Sequence, residues 1–119
     1  MKKFLPLTVL VALVGCGEKK PLTPEEQWHG YCTSMGNAAR SILLDRQNGI
    51  QKTQAVEHAN KIEEPFTKTF ILSIVEQVYA LPQQQVTDKP DAIREQIRTE
   101  VTQKCLVTPH DKVPNYKQF

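Results

Sequence analysis

The chain has 119 residues, enough for one small domain. Of its 15 basic side chains, Lys2 and Lys3 lie in the first 15 residues, which contain no acid, so residues 16–119 carry 13 basic and 13 acidic side chains. This even balance argues against nucleic-acid binding, which needs a basic surplus to neutralise phosphates. The few glycines beyond residue 15 are scattered, which excludes a Gly-rich phosphate loop.

The N-terminal segment is an apolar run from Phe4 to Cys16 behind a basic start, and it is 13 residues long. A helix needs about 20 apolar residues to cross a bilayer. The run also contains Pro6 and Gly15. A basic start, a short apolar run and a small-residue exit predict a secretory signal peptide over residues 1–15.

The end of this run, Leu13-Val14-Gly15-Cys16, resembles the lipobox of bacterial lipoproteins, with Val14 as a tolerated variation. The resemblance implies cleavage before Cys16, a diacylglyceryl group on its thiol and acylation of its new amino terminus. More than one acyl chain gives stable membrane anchoring. The alternatives are an ordinary signal peptide with a chance cysteine, and an uncleaved anchor.

The residues that follow indicate where the anchor would hold the domain. Gly17, rather than Asp, follows the lipobox cysteine, which by the enterobacterial sorting rule implies the outer membrane, with the domain facing the periplasm. The inner membrane and the cell surface remain alternatives. Residues 16–23 form the lipidated cysteine and a tether, and the seven residues after Cys16 span roughly 25 Å when extended.

Residues 24–107 read as a helical domain. Thr23 and Glu26 form a capping box around Pro24, and Asn48-Gly49 ends the first helix. The spacing then predicts a short helix that Thr53 caps and that runs to about Ile62, and a central helix from Phe66 that Pro82 ends. The polar stretch QQQVTDKPD reads as a loop, and Asp88 to Pro90 start a last helix that reaches Cys105. Residues 108–119, TPHDKVPNYKQF, read as an extended or disordered tail.

The cysteine count sets the topology. If Cys16 carries lipid, Cys32 and Cys105 remain, and such a pair in an exported domain predicts a disulfide; two free thiols are the alternative. A three-helix fold kinked at Pro65 would separate the two cysteines, although a bridge needs Cα atoms within about 7 Å. A chain reversal near Glu63-Glu64-Pro65 brings them together. The expected fold is therefore all-α, a four-helix domain with one disulfide, and the kinked three-helix fold is the alternative.

Residues able to carry chemistry are few. His29, His58 and His110 belong to no metal motif such as HExxH, and no GxSxG surrounds a serine. The acid pair Glu63-Glu64 precedes Pro65 at a helix start, where carboxylates suit the helix dipole. Tyr116 and Phe119 in the tail either pack on the helices or form a docking peptide. The sequence predicts a protein that is not an enzyme, with no cofactor and no metal.

A second resemblance covers most of the helical domain. Cys32, Arg46-Gln47-x-Gly49, Tyr79-x-x-Pro82 and Cys105 are similar to the pattern of small exported helical proteins of unknown function in proteobacteria. The similarity implies kinship of fold and no activity.

The functional hypothesis is a membrane-anchored lipoprotein of the bacterial envelope, held through Cys16, whose non-catalytic helical domain binds a protein partner or serves a structural role. The alternatives are an immunity or phage-exclusion inhibitor and an envelope stress chaperone, with a hydrolase as the outside option. No nucleic-acid partner is expected.

Overall fold

In the computed structural model, which describes residues 21–110, the chain is helical and contains no β-strand over that range. This confirms the all-α prediction. The lipobox, Cys16, the first part of the tether and most of the tail lie outside the described residues. The helices are α1 (Pro24–Gln47), α2 (Lys52–Ala59), α3 (Pro65–Ala80), α4 (Gln83–Asp88) and α5 (Pro90–Leu106).

The ends of α1 follow the predicted signals. The Glu26 backbone N–H donates to Thr23 Oγ1 at 3.1 Å, and the Thr23 N–H donates to Glu26 Oε1 at 2.8 Å, which completes the capping box. Asn48 is the C-cap, and Gly49 follows with a φ of 94°. Glycine reaches this left-handed conformation without the steric cost of a Cβ, so α1 ends where the sequence predicts.

The pairs of residues in contact between α1, α3 and α5 give the direction of each helix and confirm the predicted chain reversal. Cys32 and Cys105 form the expected disulfide, with Cα atoms 5.3 Å apart. Further along the same pair of helices, Arg40 Nε lies 2.7 Å from Glu95 Oε2, so α1 and α5 are antiparallel. The early Tyr31 of α1 contacts the start of α3, and the late Arg46 contacts its end, so α1 and α3 are parallel. The kinked three-helix alternative is wrong, because α2 ends at Ala59 and the chain turns before α3.

Two predictions about the helices are wrong. The polar stretch predicted as a loop contains α4, so the described residues form five helices where four were predicted. The reason is tertiary: Val86 is buried with 1% of its surface exposed, and Gln47 Nε2 donates to its carbonyl oxygen at 3.1 Å. The second helix is also shorter than predicted and starts earlier, since its N-cap is Gln51 rather than Thr53. The start of α5 at Pro90 agrees with the predicted start at Asp88 to Pro90.

The core lies where α1 packs against α3 and α5. The most deeply buried large side chains are Tyr31, Met35, Leu43, Ile74, Val75, Val78, Val86, Ile97 and Val101.

The described residues include no helix long and apolar enough to cross a membrane.

Candidate interaction site

A concave groove of about 260 Å³ lies between α1, α2 and α3. It exists because α2 packs loosely: of its eight residues, only Ala59 is buried. The short helix therefore leaves Ile42 of α1 only half-buried, while Ile71 and Val75 of α3 are buried at the floor of the groove. The apolar lining residues are Ile42, Ile50, Ala55, Ala59, Ile71 and Val75.

The connection between α1 and α2 fixes one wall of the groove. Tyr79 Oη on α3 donates to the backbone carbonyl of Ile50 at 2.7 Å, which holds the loop against α3. Lys52 Nζ at the start of α2 lies 2.9 Å from Glu76 Oε1. The Ile50 side chain remains 37% exposed beside the groove. These contacts attach the first turn of α2 to α3. In the later turns of α2, Ala59 is the one buried residue.

Asp45 and His58 supply charge and polarity at the edge of the groove, together with Gln54. Asp45 is exposed, and within residues 21–110 its carboxylate accepts no hydrogen bond and forms no ion pair. The adjacent Arg46 does not neutralise it by direct contact, because its Nη1 donates to the carbonyl oxygens of Val78 at 2.7 Å and Leu81 at 2.8 Å.

The charge of Asp45 affects the pKa of the neighbouring Tyr79 phenol. Burial raises the pKa of Tyr79, the negative charge of Asp45 raises it further, and the Arg46 guanidinium lowers it. The guanidinium carbon lies 5.7 Å from the centre of the Tyr79 ring. Tyr79 therefore stays protonated and able to donate its hydrogen bond to the α1–α2 loop at ordinary pH.

A second depression lies where the residues after α5 pass the start of α1. The His110 ring stacks on Trp28 with centroids 4.5 Å apart and an interplanar angle of 11°. His110 Nε2 lies 3.8 Å from Glu25 Oε1. Glu26, His29 and Leu106 complete the lining. The structure thus brings two of the three histidines to one shallow surface, while His58 lies in the groove.

The Glu63-Glu64 pair has the predicted structural position. Glu64 accepts hydrogen bonds from the backbone N–H groups of Phe66 and Thr67, both at 2.9 Å, and so caps α3. Burial acts to raise the pKa of Glu64, but these bonds and one from the Thr67 hydroxyl outweigh it and lower the pKa. Glu63 is exposed beside it.

The cap of α3 is joined to α1 by a buried hydroxyl. Thr67 Oγ1 donates to Glu64 Oε1 at 2.5 Å, so the Tyr31 O–H donates to Thr67 Oγ1, also at 2.5 Å. Burial raises the pKa of Tyr31, the bond to Thr67 lowers it, and the Glu64 charge raises it. This chain of hydrogen bonds joins the second turn of α1 to the first turn of α3.

Arg46 and Gln47, two residues of the second sequence resemblance, form contacts that hold the helices together. Arg46 binds the last carbonyl groups of α3. Gln47 Nε2 donates to the carbonyl oxygens of Val86 and Pro90, and its Oε1 accepts from Arg94 Nη1 at 2.5 Å. Together they hold α4 and the start of α5 against the end of α1. The motif residues therefore explain the fold at this end of the domain.

The groove was not predicted as a site, although two signals point to it. Asp45 follows Ile42 by three residues, so an exposed acid neighbours an apolar side chain at the edge of the apolar face of α1. The short, mostly exposed α2 segment also has few apolar residues with which to cover its neighbours. Cys16, Tyr116 and Phe119 lie outside the described residues, and the part of the chain that is described contains no cluster of three metal-ligating side chains.

The chain matches no family model, no curated protein and no solved structure.

Proposed function

We propose that this protein is a lipid-anchored component of the bacterial envelope whose helical domain binds a protein partner. The observation that carries the proposal is the Cys32–Cys105 disulfide. Structural disulfides persist in oxidising compartments such as the periplasm and are rare in the cytosol. The bridge also uses two of the three cysteines, so Cys16, the cysteine of the lipobox, is left for lipid attachment.

The position of the groove suits binding by an anchored domain. Asp45 lies 22 residues after Thr23 (45 minus 23), which corresponds to about 33 Å along α1 at 1.5 Å per residue. The groove is therefore at the end of α1 away from the tether, where a partner would meet least interference from the membrane surface. Its apolar lining suits an anchoring side chain of a partner, and the unpaired Asp45 carboxylate offers a charge for electrostatic complementarity.

The anchor is tested by Cys16→Ser. The expected result is loss of the protein from the membrane fraction, and mass spectrometry of the wild-type N-terminal peptide should show cleavage before Cys16 with diacylglyceryl and acyl additions. Continued membrane association of the variant, or an unmodified Cys16 thiol, would refute the lipoprotein assignment.

Partner binding is tested by site-specific photocrosslinking in intact cells of the native host. A photoreactive phenylalanine replaces His58, which lies in the groove, or Gln103, an exposed residue of α5 used as the control. We expect one discrete crosslinked species from position 58 and none from position 103. The same species from both positions, or none from either, would count against partner binding in the groove, and the identity of the captured protein would separate an adaptor from an inhibitor.

A further inference from the structure

We propose that the groove between α1, α2 and α3 recognises a partner segment in which one large apolar side chain lies next to a lysine or arginine. The apolar side chain would contact Ile42, Ile50 and Ala55, the apolar lining residues that are half-buried or exposed. The cation would pair with Asp45. This inference rests on the proposed protein-binding function and specifies the chemistry of the partner.

The size of the groove favours a single anchoring side chain. Pockets that enclose drug-sized ligands have volumes of about 300–1,000 Å³. At about 260 Å³, and open to solvent, this groove is below that range. Protein interfaces commonly concentrate their affinity in one or two large side chains that fill such pockets. The floor of the groove is formed by Ile71 and Val75, which belong to the buried core, and Ile42 of α1 lies beside it. This part of the receiving surface is therefore in place before a partner binds.

The electrostatics of the groove favour a basic neighbour for that anchor. Two cations near the groove in sequence are engaged elsewhere: Arg46 binds the carbonyl groups at the end of α3, and Lys52 binds Glu76. The Asp45 carboxylate has no such partner in the described chain. An incoming Lys or Arg would gain an ion pair there, whereas an incoming carboxylate would meet an uncompensated negative charge.

The test measures the binding of blocked dipeptides by isoleucine methyl NMR. The sample is the full-chain protein after processing by its host, and the lipidated form is held in nanodiscs of neutral lipid. The probe is acetyl-Phe-Arg-amide, and the controls are acetyl-Phe-Glu-amide and acetyl-Gly-Arg-amide. The Ile42, Ile50 and Ile71 methyl groups report on the groove. The Ile97 methyl group on α5 is buried outside it and serves as an internal control.

We expect saturable shifts of the groove methyl signals with acetyl-Phe-Arg-amide and an unchanged Ile97 signal. Loss of the phenylalanine side chain should weaken binding at least tenfold, because its burial supplies most of the affinity. Asp45→Asn should weaken the Phe-Arg probe by about threefold to fivefold, as expected for an exposed ion pair, and should leave binding of the Phe-Glu probe equal or stronger.

Two matched variants test the location. Ala55→Trp places a large side chain in the groove and should abolish the shifts, whereas Ala92→Trp, on the exposed surface of α5, should preserve them. Equal binding of the acidic and basic probes, no shift at any concentration, or binding that survives Ala55→Trp would overturn the proposal. Groove shifts that depend on protein concentration without any probe would also overturn it and would identify a second copy of the chain as the occupant. None of these readouts depends on membrane anchoring or on capture of a cellular partner, so the proposed function can fail independently.

Discussion

Gly36→Ala tests how closely α1 and α5 approach each other. A Cβ at this position would stand 2.8 Å from the backbone carbonyl oxygen of Arg98 and would overlap Thr102 Oγ1. The Thr102 side chain can move, but the Arg98 carbonyl belongs to the α5 backbone. The variant must therefore separate two helices that the disulfide joins about one turn away, at Cys32.

Two effects of this substitution oppose each other. Alanine is favoured over glycine within a helix by up to about 1 kcal/mol. Forcing an extra carbon into a closely packed contact costs about 1–3 kcal/mol. Because the contact at Gly36 includes a backbone atom, the second effect should dominate, with a net loss of about 1–2 kcal/mol in the free energy of unfolding. At a urea m value of about 2 kcal/mol/M, the unfolding midpoint would fall by roughly 0.5–1 M.

Urea unfolding followed by circular dichroism measures this change. Thr102→Ala in the Gly36→Ala background removes the side-chain overlap and should restore part of the stability, while the Arg98 carbonyl prevents full recovery. The single Thr102→Ala variant completes the double-mutant cycle. If Gly36→Ala is as stable as the wild-type protein or more stable, helix propensity dominates and the reasoning from close packing is wrong.

Three other predictions concern the disulfide, the α3 cap and α2. Replacing Cys32 and Cys105 together by alanine should lower the free energy of unfolding by about 4 kcal/mol, because the bridge joins residues 73 apart; a loss below about 1 kcal/mol at an unchanged m value would contradict this. Glu64→Ala should cost about 1–2 kcal/mol at pH 7, whereas Glu63→Ala should change stability by less than about 0.5 kcal/mol. Since the folded-state pKa of Glu64 is lowered, its contribution is present above the unfolded-state pKa and lost as the pH falls through the folded-state pKa; an undiminished effect of Glu64→Ala in acid would refute the cap assignment. Amide hydrogens of α2 should exchange faster than those of α1, because α2 buries only Ala59, and equal protection by mass spectrometry would show that α2 belongs to the core unit.

The features that the sequence predicted correctly depend on local chemistry or on a covalent constraint. The capping box at Thr23 and the glycine at position 49 act within a few residues, so they can be recognised without knowing the fold. The chain reversal came from a different argument. A bridge between Cys32 and Cys105 is compatible with only one direction of α5 relative to α1, so two residues determined the arrangement of the helices.

The features that were missed depend on tertiary contacts. α4 has six residues, too few for a hydrophobic period, and its one buried side chain is Val86. It is held by Gln47, which lies 39 residues earlier in the chain. The groove was missed for a related reason: Ile42 has the periodicity of a core residue, and the loose packing of α2 leaves it only half-buried. Apolar spacing identifies the face of a helix but not how completely that face is covered.

The fixed contacts of this domain are concentrated on α1, α3 and α5, and this distribution shapes the groove. The disulfide ties α1 to α5 near one end, while Arg46 and Gln47 tie α1 to the end of α3 and the start of α5 at the other. Two walls of the groove are thus built on helices held at both ends, and the third is α2, which buries a single side chain. A partner that bound here would meet a preformed apolar surface and would lose little conformational freedom in it, while α2 could adjust to the size of the inserted side chain without disturbing the core. The same loose packing that makes α2 contribute little to stability therefore makes it the suitable wall of a binding site.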